Sequence, residues 1–559
     1  MPFKKSPKPS KPSHSRPQPK AAGKAPSSPF RTAASGSTST KSGARKSSPA
    51  RSGNSKFGDS RSGDSSSGDS RQDRPKSAQS RPAQSRPAQS RSASAQPKSA
   101  PAKSAKKESS AFPAPKAATP SIPSALISRR ASDAIRGGHL WVYATDIEAI
   151  NASKEDPQAL LPVADNRGIP LGTALYSPNS QIALRFVSRE LITEAQWHAL
   201  LAERLRAAIH RRAPLLNEAN NAARLVFSEA DNLPGIILDK YAGVVILQLL
   251  AKGLDNPATR KICVETIAQS LPDDTLTIWE RPDPRIRQLE GLSAPATTPL
   301  YHRSPAKTQS ETESASEAST IFHINGLSLH FDAQSGQKTG AFLDQRENYA
   351  AAARWAKSRG IQKALDICTY QGGFALHLAQ AGCQVTAVDQ SRAALEVAER
   401  NLTLNREQGH LPANTEIEWL EADAFNLLHD WASQTRAKSP KNSSDSPETP
   451  VDSREPWQLI VLDPPAFAKS QRAVEGAMRG YKELNLRALQ LLAPGGLLVT
   501  CSCSHHVSLS DLESAVASAA NDAGRRVTLL ERRGASLDHP TILNLPETEY
   551  LKCLILAVD

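Results

Sequence analysis

Ala364-Leu-Asp-Ile-Cys-Thr-Tyr-Gln-Gly-Gly-Phe374 passes from a short apolar run, through a turn with two adjacent glycines, into a segment with a helical period over 373–381. A strand that feeds a helix through a glycine turn is the opening unit of an open α/β sheet, because glycine lets the backbone bend sharply and approach a ligand. The unit then repeats. Gln384-Val-Thr-Ala-Val-Asp389 is a second strand and 391–405 a second helix; Glu416-Ile-Glu-Trp-Leu420, Leu459-Ile-Val-Leu-Asp463 and Gly496-Leu-Leu-Val-Thr500 are further strands, with a helix over 480–492 before the last. Strands alternating with helices imply a parallel, doubly wound α/β sheet whose ligand lies outside the carboxyl ends of the strands.

Acidic residues mark those ends. Asp366 closes the first strand beside the turn residues Gly372 and Gly373, where a carboxylate can bind polar groups of a cofactor. Asp389 closes the second strand 23 residues later, near the separation of about 20 at which a carboxylate grips ribose hydroxyls. Glu421-Ala-Asp423 follows the third strand, where an adenine can be held. The turn lacks the three-glycine pyrophosphate fingerprint, and with this additional acidic end it favours S-adenosylmethionine over a dinucleotide.

Asp463-Pro-Pro-Ala-Phe467 follows the fourth strand. Two prolines leave a stiff loop with few N–H groups, so Asp463 is presented to the crevice rather than used as a helix cap. Methyltransferases acting on planar bases use an acid-Pro-Pro-aromatic loop of this kind, which makes Pro464, Pro465 and Phe467 the expected substrate contacts. Cys503, just past the fifth strand, would lie across the same crevice. A thiolate there has a specific use: cytosine C5 is a poor nucleophile until a thiolate adds at C6. Cys501 reads as a small buried strand residue. The run Cys501-Ser-Cys-Ser-His-His506 has no second ligand pair, so no metal is expected.

Toward the N-terminus the rhythm changes. Leu140–Tyr143, Leu161–Ala164, Ile169–Leu175 and Ile182–Val187 are short apolar runs between turn signals, as in a small β-barrel over 125–190. A helix is expected over 192–213, then strands at 224–227, 235–239, 244–249 and 277–279 of a central α+β domain over 191–300. The polar stretch 301–320 reads as a linker, 321–559 as the α/β domain, and 434–456 as a surface insertion.

Residues 1–124 are rich in Ser, Pro, Ala, Lys and Arg, with near-repeats such as Ser80-Arg-Pro-Ala-Gln-Ser85-Arg-Pro-Ala-Gln, and are expected to be disordered. They hold 25 Lys and Arg against 5 Asp and Glu, so the net charge of +13 leaves about −7 for residues 125–559. Such a polycation attracts polyanions without sequence preference. Within the folded part, Arg129, Arg130 and Arg136, and Arg204, Arg206, Arg211 and Arg212, form local clusters that read either as phosphate contacts or as solvated helix faces. No apolar run reaches the roughly 18–20 residues that span a bilayer, and no secretory h-region opens the chain. The six cysteines show no C-x-x-C pair, which suits a reducing cytoplasm.

Taken together these motifs resemble the bacterial 23S ribosomal RNA cytosine-C5 methyltransferases with an N-terminal PUA domain. The similarity covers roughly 125–559. It includes Lys338-Thr-Gly-Ala-Phe-Leu-Asp-Gln-Arg346, the Gly-Gly-Phe turn, Asp463–Phe467, Arg479-Gly-Tyr-Lys482, Ser502-Cys-Ser504, Asp538-His-Pro540 and Arg224–Asp231. The resemblance implies a PUA-like RNA-binding barrel, a central α+β domain and a Rossmann-like class I methyltransferase domain. It implies that Asp366, Tyr370, Gly372, Asp389 and Asp423 hold S-adenosylmethionine, that Asp463 orients the base and that Cys503 is the nucleophile. The implied partner is large-subunit ribosomal RNA, naked or partly assembled, because a cytosine must be unstacked before a thiol can reach it; the oligomeric state, a homodimer or otherwise, carries no sequence signal. The same sequence leaves two alternatives open, a ribosomal RNA guanine methyltransferase, which needs no Cys503, and a non-catalytic RNA-binding assembly factor.

Overall fold

The computed structural model describes residues 124–154, 158–281, 283–304, 318–333, 341–437 and 455–559. The basic tail expected over 1–124 lies outside them except for Ser124, and so does the insertion expected at 434–456 except for its ends.

Six strands form the first sheet: β1 (Ser124–Ile127), β2 (Trp141–Tyr143), β3 (Ile147–Asn151), β4 (Leu160–Asp165), β5 (Pro170–Tyr176) and β6 (Ile182–Ser188). Their order is β2-β6-β5-β4-β1-β3, with β1 parallel to β4 and the other pairs antiparallel. Four of these strands coincide with the expected apolar runs. Helix α1 (Arg129–Arg136) starts where Ser128 Oγ accepts the Ala131 N–H at 3.2 Å.

Helix α2 (Glu194–Arg212) begins with a capping box between Thr193 and Gln196, which satisfies two of the orphan donors at its start. It buries Trp197, Leu201, Leu205 and Ile209. The central sheet has strands β7 (Ala222–Phe227), β8 (Ile236–Tyr241), β9 (Val244–Leu249), β10 (Leu276–Glu280) and β11 (Tyr301–Arg303), in the order β11-β10-β9-β8-β7. Helix α3 (Pro257–Ser270) is the crossover that makes β9 and β10 parallel. The expected linker 301–320 is therefore strand at both ends, β11 pairing with β10 at one and a hairpin opening at the other.

That hairpin, β12 (Ser319–Ile324) and β13 (Leu327–Asp332), turns on Asn325 and Gly326, whose φ angles of 52° and 81° suit a two-residue loop matched to the strand twist. Its Phe331 ring stacks on Tyr241 of β8 at 4.0 Å.

The last sheet has seven strands: β14 (Lys363–Ile367), β15 (Gln384–Asp389), β16 (Ile417–Glu421), β17 (Trp457–Leu462), β18 (Leu492–Ser502), β19 (Val527–Arg533) and β20 (Lys552–Val558). The order is β16-β15-β14-β17-β18-β20-β19; β14 to β18 are parallel, and β20 runs antiparallel between β18 and β19. Helices α5 (Arg346–Ser358), α6 (Gly373–Gln380), α7 (Arg392–Glu407), α8 (Ala424–Ala437), α9 (Val474–Leu491) and α10 (Leu509–Ala523) cover it; the short α4 (Pro284–Glu290) belongs to the central domain's sequence. Because strand side chains alternate between faces, Ala364, Leu459, Val461, Leu497 and Val499 join the core containing α5 and α6. Leu365, Ile367, Ile460, Leu462 and Leu498 join the core containing α8, α9 and α10. Burial on both faces explains why these strands read as continuous apolar runs. The chain order reverses at β14, so the crevice opens at the carboxyl ends of β14 and β17.

Candidate active site

The turn after β14 is bent by three positive φ angles, at Cys368 (65°), Tyr370 (52°) and Gly372 (86°). A side chain in that region costs conformational energy, so the turn needs anchors. Asp389 supplies them: its Oδ2 accepts the Tyr370 N–H at 2.9 Å and its Oδ1 the Ser391 N–H at 2.8 Å. Gly373 opens α6 with its α-carbon against the Tyr349 ring; a Cβ there would lie 2.5 Å from Tyr349 Cζ. The close approach that this glycine permits is thus to an aromatic ring of α5, while its other side meets the cavity.

The crevice is a cavity of about 880 Å³, within the range of small-molecule sites. Tyr370, Gly373, Asp389 and Asp423 line it from the ends of β14, β15 and β16. Asp463, Pro464, Pro465, Phe467 and Cys503 line it from the ends of β17 and β18. Two expected cofactor residues lie behind the wall instead. A Cβ on Gly372 would meet Trp419 and Ala398 rather than the cavity. Asp366 is fully buried, with Oδ2 accepting Thr369 Oγ1–H at 2.6 Å and the Ala375 N–H at 3.0 Å. It braces the turn and the start of α6 rather than forming the cavity surface. Burial pushes its carboxyl up to about 7, against the two hydrogen bonds that favour the charge.

The proline loop and the cysteine loop are sewn together. Cys503 Sγ donates to the Pro464 carbonyl at 3.8 Å, and the Ala468 N–H donates to Ser504 Oγ at 3.2 Å. Behind them Ser502 Oγ donates to Tyr481 Oη at 2.9 Å, and Tyr481 Oη pairs with Ser504 Oγ at 3.0 Å. Phe467 packs on Tyr481 with ring centroids 4.8 Å apart. The Lys552 ammonium, buried on β20, donates to the Ser504 carbonyl at 3.0 Å; burial holds it below the usual lysine range, opposed by the nearby Glu549, Cys503 and Asp511. Cys501, by contrast, is fully buried on β18 opposite Cys553.

Several cavity residues carry no sequence expectation of their own. Gln345 donates to Asp463 Oδ1 at 3.0 Å, Tyr550 Oη donates to Asp344 Oδ2 at 2.5 Å, and His505 stacks on Tyr550 at 5.4 Å. Asp344 and Gln345 belong to the quoted motif 338–346, which had no role attached; its residues 338–340 are outside the described ones.

The wall chemistry tests the cofactor. Among the described residues it holds four carboxylates, those of Asp344, Asp389, Asp423 and Asp463, and no Lys or Arg. A pyrophosphate would meet repulsion here, whereas a cationic sulfonium with an α-amino group meets attraction. Asp366 Oδ1, buried without a hydrogen-bond partner among the described residues, adds a fifth acidic group just behind the wall. The residues fit S-adenosylmethionine. Among the described residues, no three His, Cys, Asp or Glu side chains gather as a metal site.

The two arginine clusters are largely occupied within the fold. Arg130 pairs with Asp146 at 2.8 Å and Arg136 with Asp165 at 2.7 Å. Arg211 and Arg212 both hold Asp231, and Arg212 is buried. Arg204 donates to the Asn232 carbonyl.

The chain is similar to known proteins in sequence and in fold. A family described as a PUA-like domain matches residues 126–189. The ribosomal RNA large subunit methyltransferase I of Shewanella frigidimarina is 34% identical over 424 residues, covering 75% of this chain and 95% of that protein. The protein of the same name from Tolumonas auensis is 36% identical, covering 75% and 94%. Among solved structures, one from Streptococcus mutans described as a SAM-dependent methyltransferase superposes with a TM-score of 0.60 at 17% identity, covering 77% of this chain and 99% of that one. A second, a methyltransferase complexed with SAH, has a TM-score of 0.59 at 16% identity and the same coverage.

Proposed function

Because the chain belongs to the family of the ribosomal RNA large subunit methyltransferase I proteins and its acidic cavity fits S-adenosylmethionine, we propose that it methylates C5 of one cytosine in 23S ribosomal RNA through a Cys503 adduct. The observation that carries this reading is Cys503 on the wall of the acidic cavity, tied at 3.8 Å to the loop that presents Asp463. A nitrogen methyltransferase has no use for a thiol there.

The chain's residues divide the work. Tyr370, Asp389 and Asp423 hold the cofactor, with Asp366 and Gly372 shaping the turn behind it. When bound, S-adenosylmethionine supplies an electrophilic methyl on a cationic sulfur. Asp463 accepts from the exocyclic amino group of the flipped cytosine and fixes the ring plane, with Pro464, Pro465 and Phe467 bounding its slot. The Cys503 thiolate adds at C6; the Sγ–C6 bond forms as the C5–C6 π pair moves to make C5 nucleophilic. C5 then takes the methyl group, leaving S-adenosylhomocysteine; a base removes the C5 proton, and the C5–H pair restores the C5–C6 double bond as the Sγ–C6 bond breaks and Cys503 leaves as a thiolate. An unstacked base is required, so naked or partly assembled large-subunit RNA is the expected substrate.

Cys503→Ser tests this directly. Methyl transfer from labelled S-adenosylmethionine to 23S ribosomal RNA should fall by at least about 1000-fold, since an alcohol replaces the thiolate nucleophile, while calorimetry shows cofactor affinity retained. A Cys503→Ser protein with undiminished transfer would overturn the C5 assignment and favour the guanine alternative.

A further inference from the structure

We infer that Gln345 is a positioning residue for Asp463 and the last link of a one-way amide relay that begins at Arg533. The inference rests on reading Asp463 as the side chain that meets the target base.

The relay is a chain of four side chains. Arg533 Nε donates to Asn348 Oδ1 at 2.9 Å. Asn348 Nδ2 donates to Gln345 Oε1 at 2.6 Å and also to the Gly534 carbonyl at 3.0 Å. Gln345 Nε2 donates to Asp463 Oδ1 at 3.0 Å. Arg533 is itself held by Glu531 at 2.7 Å.

Amide groups can flip, and what orients these two is the chemistry of the chain's ends. A guanidinium only donates, so Asn348 must offer it oxygen and pass its NH₂ onward. An ionised carboxylate only accepts, so Gln345 must present NH₂ to Asp463. Both ends therefore demand the same direction, and reversal would set oxygen against oxygen at one of them. Gln345 and Asn348 are buried at 2% and 1% exposure, where a mispaired polar group is expensive. Asn348 is not on the cavity wall, so whatever it does for the reaction passes through Gln345.

The consequence is a carboxylate whose Oδ1 is held by a directed donor before the base arrives. Proline at 464 and 465 stiffens the backbone of the same loop. Loop rigidity sets the backbone, and the Gln345 amide adds a directed restraint on the Asp463 side chain.

Three variants test this by single-turnover methyl transfer to ribosomal RNA, followed as a function of pH at saturating cofactor. Gln345→Leu removes the donor and should slow the step by about 10- to 100-fold, the cost of a misplaced reacting group, with cofactor affinity within about threefold of wild type. Asn348→Asp keeps a partner for Arg533 but makes the Gln345 amide flip and turn its oxygen to Asp463. It should slow the step and move the acid-side limb of the pH profile upward, because Asp463 now faces an acceptor. Asp463→Asn, run alongside, should be severely impaired. If both relay variants keep the wild-type rate and limb within about twofold while Asp463→Asn is impaired, the relay is overturned alone. A fully active Asp463→Asn overturns both the relay and the reading of Asp463. A loss confined to cofactor affinity, with the saturated rate intact, makes Gln345 a cofactor contact and also overturns the relay.

Discussion

Asp366 shows how one side chain can link stability, charge and the cofactor. Its carboxyl is pushed up to about 7 by burial, from an ordinary 3.8. The native state thus binds this proton more tightly than the unfolded chain does. The resulting stabilisation is complete below about pH 4 and is lost as pH rises through 7. A cation bound at the wall favours the ionised form, so cofactor binding near pH 7 should release a fraction of this proton. Calorimetry of S-adenosylmethionine binding at pH 7, in two buffers of different ionisation enthalpy, should reveal that release in the wild type. Asp366→Asn, which keeps the Thr369 and Ala375 contacts without a titrating group, should abolish it. Equal proton release in both proteins would rule out Asp366 as the source.

At the level of elements, the start of α6 is set by packing as much as by a ligand. Gly373→Ala places a methyl group 2.5 Å from the Tyr349 ring, an overpacking that costs about 1–3 kcal/mol. A lowered urea midpoint with unchanged slope should register it without cofactor present; an unchanged midpoint would mean that Tyr349 simply moves aside. The parallel strands β14 to β18 were legible because burial on both faces leaves uninterrupted apolar runs. The half-exposed β19 lacks such a run. β20, Lys-Cys-Leu-Ile-Leu-Ala-Val558, does contain one, but it arrives antiparallel after a long connection with no α-helix to announce it. The site divides in the same way. Asp463 and Cys503 sit at strand ends within local motifs, where a short window of sequence suffices. Gln345 meets Asp463 across 118 residues, and Lys552 meets Ser504 across 48; such contacts exist only once the sheet is assembled. Asp366 was legible as an acid at a strand end, but its placement behind the wall depends on a turn conformation that three positive φ angles create.

For the molecule as a whole, the unresolved pairing is between an acidic folded part and a polyanionic substrate. Residues 125–559 carry about −7, the remainder once 25 Lys and Arg against 5 Asp and Glu in 1–124 are set against the total of +13. Of the arginine clusters that composition offered for phosphate contacts, Arg130, Arg136, Arg211 and Arg212 are engaged with Asp146, Asp165 and Asp231; a pattern of charges along the chain could not reveal those partners. Each such pair is drawn off the pool of cations that could displace counterions from RNA. Attraction to the phosphate backbone should therefore depend mainly on residues 1–124, while the cavity and the folded domains select the nucleotide. Binding of the full chain and of a protein starting at residue 124 to the same ribosomal RNA fragment, measured between about 50 and 200 mM salt, separates the two roles. Each lost phosphate contact should lower the steepness of log K against log salt by about 0.7 to 0.9, so removal of the tail should flatten the line by several units. The methylated position, mapped in the same RNA, should not change. A truncated protein with the full salt dependence would place the phosphate contacts on the folded domains after all, and a truncated protein that methylates a different nucleotide would give the tail a part in choosing the site.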